Sequence, residues 1–114
     1  MTQTHTQTNT HDVLELVTFK TKPGVTDDRV LAAADALQRD VEPLEGYLGR
    51  RLLKTGDGTW VDTVRWTTLE AAHAAARLIE AKPSAEAFMA ITEVESIRML
   101  HAQPVKEYAG LVSA

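Results

Sequence analysis

His73 and Trp66 are the residues whose types and positions best suit chemistry. A neutral imidazole can take up a proton or hold a hydrogen-bond partner. An indole offers a flat apolar wall and a single N–H donor. Trp66 ends a β-type segment and His73 follows seven residues later, bordering the apolar stripe of a helix. There it could point into a cavity between helix and sheet, or simply pack half-buried. A second folded-region histidine, His101, stands at the end of the last β-type segment and reads as an edge residue. The two histidines can meet only through tertiary structure, so no metal site is expected from their spacing. His5 and His11 sit in a polar leader, a poor platform for a metal. Glu15, Arg50, Arg51, Asp62, Arg65, Glu95 and Arg98 fall inside otherwise apolar β-type segments. Unpaired charge is costly there, so these groups should pair across strands, reach solvent or meet a ligand. Trp60 and Trp66 lie six apart in one strand and therefore share a face.

Other chemistries are poorly represented. The 114 residues contain no cysteine, which excludes disulfides, thiolate metal sites, iron–sulfur clusters and cysteine nucleophiles. There is no GxGxxG, Walker, HExxH, GxSxG or EF-hand pattern. Gly56-Asp-Gly58 is too short to cradle a phosphate and reads as a turn. Sixteen acidic against twelve basic residues leave a net charge of −4, which disfavours nucleic acid. No run approaches the about 18 apolar residues of a membrane span. With 44% hydrophobic and 25% charged residues, the composition is that of a soluble, cytoplasmic, single-domain protein.

The elements that must position these residues follow from periodicity. Residues 1–12 hold no apolar side chain after Met1 and are expected to form a disordered tail without a secretory h-region. Val13 to Thr21 reads as a strand apolar on both faces. Thr26 is a candidate N-cap, with Asp27 and Asp28 favoured by the helix dipole. Val30, Ala34, Leu37 and Val41 then form one helical stripe, which Pro43 and Gly46 terminate. Tyr47–Lys54 and Trp60–Trp66 read as strands joined by a hairpin at Thr55-Gly-Asp-Gly-Thr59. Thr67-Thr-Leu-Glu70 has capping-box spacing and opens a helix that Lys82-Pro83 stops. Ser84 is a candidate cap for a short helix carrying Phe88 and Ile91, and Glu93 to His101 reads as the last strand.

The order β-α-β-β-α-β is that of a ferredoxin-like α+β domain over residues 13–103, with 104–114 as a C-terminal extension. Two helices cover one face of a four-stranded antiparallel sheet. Yet Leu14 and Leu16 oppose Val13, Val17 and Phe19, and Leu53 opposes Leu52. The uncovered apolar face predicts a homodimer packed sheet to sheet.

Val64-Arg-Trp66-Thr-Thr-Leu-Glu-Ala-Ala72 resembles the strand end, cap and acidic-alanine helix start of the antibiotic biosynthesis monooxygenase family. Glu45-Gly-Tyr-Leu-Gly49 resembles that family's entry to its second strand, and the likeness of pattern spans about Val13 to Gln103. The resemblance implies a dimeric α/β barrel with a hydrophobic cavity between sheet and helices. It further implies cofactor-independent oxygenation of an aromatic or quinol-type small molecule, so no cofactor is expected. Haem-degrading relatives use a first-strand asparagine and a later helical histidine; the first strand here has no asparagine, and His73 comes early. On this reading Trp66 and His73 are the catalytic candidates. Arg65 or Arg98 would be an oxyanion partner, and Arg65, Arg98 and Phe88 would bind substrate. The alternative is a non-catalytic, ligand-binding or stress-associated dimer on the same barrel. A wholly apolar cavity with His73 facing solvent would favour that alternative.

Overall fold

The computed structural model describes residues 12–111; the expected polar leader otherwise lies outside the described residues. The elements are β1 (Val13–Thr21), α1 (Asp27–Val41), β2 (Tyr47–Lys54), β3 (Trp60–Trp66), α2 (Leu69–Ile79), α3 (Pro83–Ala90) and β4 (Thr92–Ala102). The strands form one antiparallel sheet in the order β2-β3-β1-β4, the ferredoxin-like topology.

Alternation along the strands divides the sheet into two unlike faces. Val13, Phe19, Trp60, Val64 and Trp66 point at the helices and are buried. Phe19, Trp60 and Phe88 meet Val30 and Ala34 of α1 in one core cluster. Val64 and Trp66 meet Val41, Ala72 and Ala75 in a second. The α1 stripe thus spans both clusters, while the alanines of α2 let that helix lie close to the sheet.

Helix starts follow from local hydrogen bonding. Thr26 Oγ1 accepts from the Arg29 N–H at 3.3 Å. Thr68, and not Thr67, caps α2, accepting from the Ala71 N–H at 3.0 Å. The Thr67 N–H is already committed to the Gly46 carbonyl at 2.8 Å, which displaces the expected box by one residue. Gly46 adopts φ +86°, and a Cβ there would stand 2.6 Å from Ala71 Cβ. Only glycine satisfies both conditions.

The short helix differs from expectation. Its N-cap is Lys82, and Pro83 occupies its first turn, where a missing N–H costs no helical bond. Ser84 therefore does not cap; its hydroxyl donates to Asp40 Oδ2 at 2.6 Å and ties α3 to α1. Beyond β4, residues 103–111 form no helix or strand, and Val105, Tyr108 and Leu111 are exposed. No helix among the described residues is long and apolar enough to cross a membrane.

Candidate functional site

A cavity of about 760 Å³ opens between the sheet and the three helices. Its walls are mainly apolar, from Phe19, Leu37, Val64, Trp66, Phe88 and Ile97, and Glu80, Lys82 and Glu86 also line it. That size suits a multi-ring organic molecule. Three charged side chains of the sheet also line it: Glu15, Arg50 and Asp62.

Arg50 and Asp62 neutralise one another. Arg50 pairs with Val64 and Asp62 with Leu52 across β2 and β3, so the two side chains meet on the diagonal of one face, and the guanidinium meets the carboxylate through Nε at 2.9 Å and Nη2 at 2.8 Å. Arg50 Nη1 also donates to the Ala34 carbonyl and to Gln38 Oε1, each at 3.2 Å. Gln38 Nε2 in turn donates to the Tyr47 hydroxyl at 2.9 Å. The pair is only 7% and 13% exposed, so its charges are spent on each other and on fixing β2 against α1.

Glu15 is different, because no lysine or arginine pairs with it among the described residues. Its Oε1 accepts from the Trp66 indole N–H at 3.1 Å. The same oxygen stands 3.6 Å from His101 Nε2, directly across the β1–β4 ladder. Burial raises the Glu15 pKa above a carboxyl's usual 4.5; His101 and the indole bond oppose that rise in part, and nearby Asp62 adds to it. The His101 ring packs edge-to-face against His73, with centroids 5.2 Å apart. Trp66, Glu15, His101 and His73 therefore form a line from the buried end of the cavity to the exposed surface of α2.

The five candidates drawn from the sequence separate into two groups. Trp66 and Phe88 line the cavity, and Phe88 packs edge-to-face on Phe19 at 5.4 Å. His73 is exposed on α2 and touches the site only through His101. Arg65 and Arg98 project from the opposite face of the sheet. Arg65 lies between the inward-facing Val64 and Trp66 and approaches Asp12 at 3.8 Å. Arg98 lies between the cavity residues Ile97 and Met99 and folds back onto the Glu95 and Ile97 carbonyls. Neither can serve this cavity as an oxyanion partner. Sequence reasoning passed over Glu15 as a catalytic candidate. Its one available signal was parity, since it shares a face with Val13, Val17 and Phe19.

No family model and no curated protein matches the sequence. Solved structures do match the fold. SnoaB, a cofactor-independent oxygenase from Streptomyces nogalater, superposes with a TM-score of 0.63 at 16% identity, over 87% of this chain and 96% of that one. A candidate antibiotic biosynthesis monooxygenase from Bordetella bronchiseptica gives 0.72 at 15% identity, over 84% and 99%. A conserved protein from Methanosarcina mazei gives 0.70 at 7% identity, over 86% and 97%.

Proposed function

We propose that this chain, whose fold is that of the antibiotic biosynthesis monooxygenases, belongs to that family and oxygenates an electron-rich aromatic without a cofactor. The observation that carries the reading is Glu15, a half-buried carboxylate with an indole donor, facing a multi-ring-sized, mainly apolar cavity. A purely apolar cavity with His73 facing solvent would favour the binding-module alternative. His73 does face solvent, but Glu15 gives the cavity a proton acceptor.

An anthrone or hydroquinone entering the cavity would stack against Trp66 and Phe88. Its acidic C–H or O–H would face Glu15, which takes the proton as general base. For an anthrone, the resulting enolate transfers an electron to dioxygen, and the two radicals join to form a carbon–oxygen bond. The returning proton converts the peroxide anion to a hydroperoxide, which eliminates water to leave a carbonyl. The methylene carbon loses four electrons and dioxygen gains four, one oxygen atom ending in the ketone and one in water. Trp66 fixes the carboxylate and forms the wall beside it, and the apolar lining excludes bulk water.

The same reading includes a homodimer joined through the back of the sheet. Leu14, Leu16, Leu53, Val61 and Leu100 share that face, with Leu16 beside Leu100 and Val61 beside Leu53 in register. Leu53 and Leu100 are 40% and 54% exposed in the single chain.

Oxygen consumption and quinone formation with a panel of anthrones and hydroquinones test the proposal. Wild type should turn over at least one member, and Glu15→Gln should lower kcat by about 10² or more. Trp66→Phe should lower it less while the protein stays folded. A folded wild type inert toward the whole panel, or a fully active Glu15→Gln, would overturn it.

A further inference from the structure

We propose that His101 carries protons between Glu15, on the cavity wall, and solvent, and that His73 of α2, packed edge-to-face on its ring, holds it in position. This assignment rests on the reading of Glu15 as the cavity's base. Three observations carry it. The Glu15 oxygen that accepts from Trp66 is also the one facing His101 Nε2 at 3.6 Å. The His101 and His73 rings meet at 5.2 Å with planes nearly perpendicular, at 89°. Exposure rises along the line, from 15% for the Glu15 side chain to 22% for His101 and then to the exposed His73.

A relay answers a problem the cavity creates. When an apolar ligand fills the space, water reaches Glu15 poorly from the cavity side, so the proton it has taken either returns directly to the peroxide or leaves by another path. Imidazole both accepts and releases protons near neutral pH through two separate nitrogens. In the forward direction the Glu15 O–H bond breaks as a bond forms to His101 Nε2, giving a carboxylate beside an imidazolium. That imidazolium then releases a proton to solvent, which reaches the partly exposed His101 side chain. The same route run backward returns the proton when the peroxide needs it, so no net charge accumulates over a turnover. The remaining charges near Glu15 are Asp62 and its partner Arg50 on β3 and β2, which are tied to each other.

The first measurement needs no substrate. In the ¹⁵N-labelled full-length protein, the Trp66 indole N–H reports the charge on Glu15 directly, and Trp66→Phe assigns its resonance. Its shift should move with pH as Glu15 gains or loses its proton. His101→Asn should move that change to higher pH, because the cation that favours the carboxylate is gone. The second measurement is turnover. His101→Asn and His73→Gln should each lower kcat about tenfold or more with KM unchanged, and imidazole in the buffer should restore much of the rate. An indole titration indifferent to His101→Asn overturns the relay, as does a rate loss that imidazole does not rescue. If wild type oxidises nothing, the oxygenase reading fails, and the indole titration alone still decides whether the proton path exists.

Discussion

Replacing Arg50 by methionine tests whether the cavity's ion pair is a closed, buried unit. The guanidinium makes four hydrogen bonds: two to Asp62, one to the Ala34 carbonyl and one to Gln38 Oε1. Methionine keeps much of the stem's volume but strands the Asp62 carboxylate, which is 13% exposed. Removing one partner of a buried pair costs about 3–5 kcal/mol. Asp62 lines a cavity that water can enter, so the lower end, about 3 kcal/mol, is expected. At about 4–8 °C per kcal/mol for a small domain, the Tm should fall by more than about 10 °C at fixed protein concentration. Asp62→Leu alone should cost a similar amount by stranding Arg50. The double variant Arg50→Met/Asp62→Leu leaves no unpaired charge and loses only two neutral acceptor contacts. It should lie within about 2 kcal/mol of wild type, so the two single costs must fail to add. Thermal and urea unfolding of the four proteins give the coupling. If the double variant shows the sum of the single losses, the two side chains are not a buried pair, and Arg50 becomes available to a ligand.

Gly46→Ala combines a left-handed backbone, about 1–2 kcal/mol, with overpacking against Ala71 and Thr67 of about 1–3 kcal/mol; a Tm within a degree of wild type would show that this close approach is absent. Leu16→Glu places a charge in the centre of the back face, so light scattering should report half the wild-type mass of about 25 kDa, twice the 12.5 kDa chain. A monomeric wild type would remove the sheet-to-sheet dimer. Glu15 has its pKa raised in the fold, so the folded state binds more protons than the unfolded one from about pH 4.5 up to that raised value. Stability from this residue is present below that window and declines as pH rises through it. Glu15→Gln keeps an acceptor for Trp66 and should abolish the decline in urea midpoints, whereas an unchanged slope would place its origin elsewhere.

The fold was legible because each element carries its own local signal. The Val30–Ala34–Leu37–Val41 stripe, the glycine-flanked hairpin and the β-rich segments reproduce the observed elements, β1 through β4 included. What the sequence hid was which charges point inward. Arg65 and Arg98 look equivalent to Arg50 as charged residues inside strands. Their side chains nevertheless leave the other face, because each is one residue removed from an inward-pointing neighbour. Trp66 could be placed correctly, since its face follows from that of Trp60. His73 could not, because its role depends on the long-range approach of α2 to the end of β4, which no periodicity reports. Glu15 was visible as a strand carboxylate, but its importance arises only when Trp66 and His101 arrive from two different neighbouring strands.

That convergence makes the base depend on its ligand. In the empty cavity, water can solvate the Glu15 carboxylate and hold down its proton affinity. On the proposed reading, an apolar polycycle that displaces this water would add to desolvation, already the largest influence on Glu15. Arg50 cannot cancel the effect, because Asp62 holds its guanidinium through two bonds. His101 is then the one ionisable group in contact with the Glu15 carboxylate among the described residues, and its proton sets whether the pair is neutral or carries one negative charge. On the proposed reading, the ligands that suit this cavity are neutral, hydroxyl-bearing or enolisable aromatics, from which Glu15 would remove a proton.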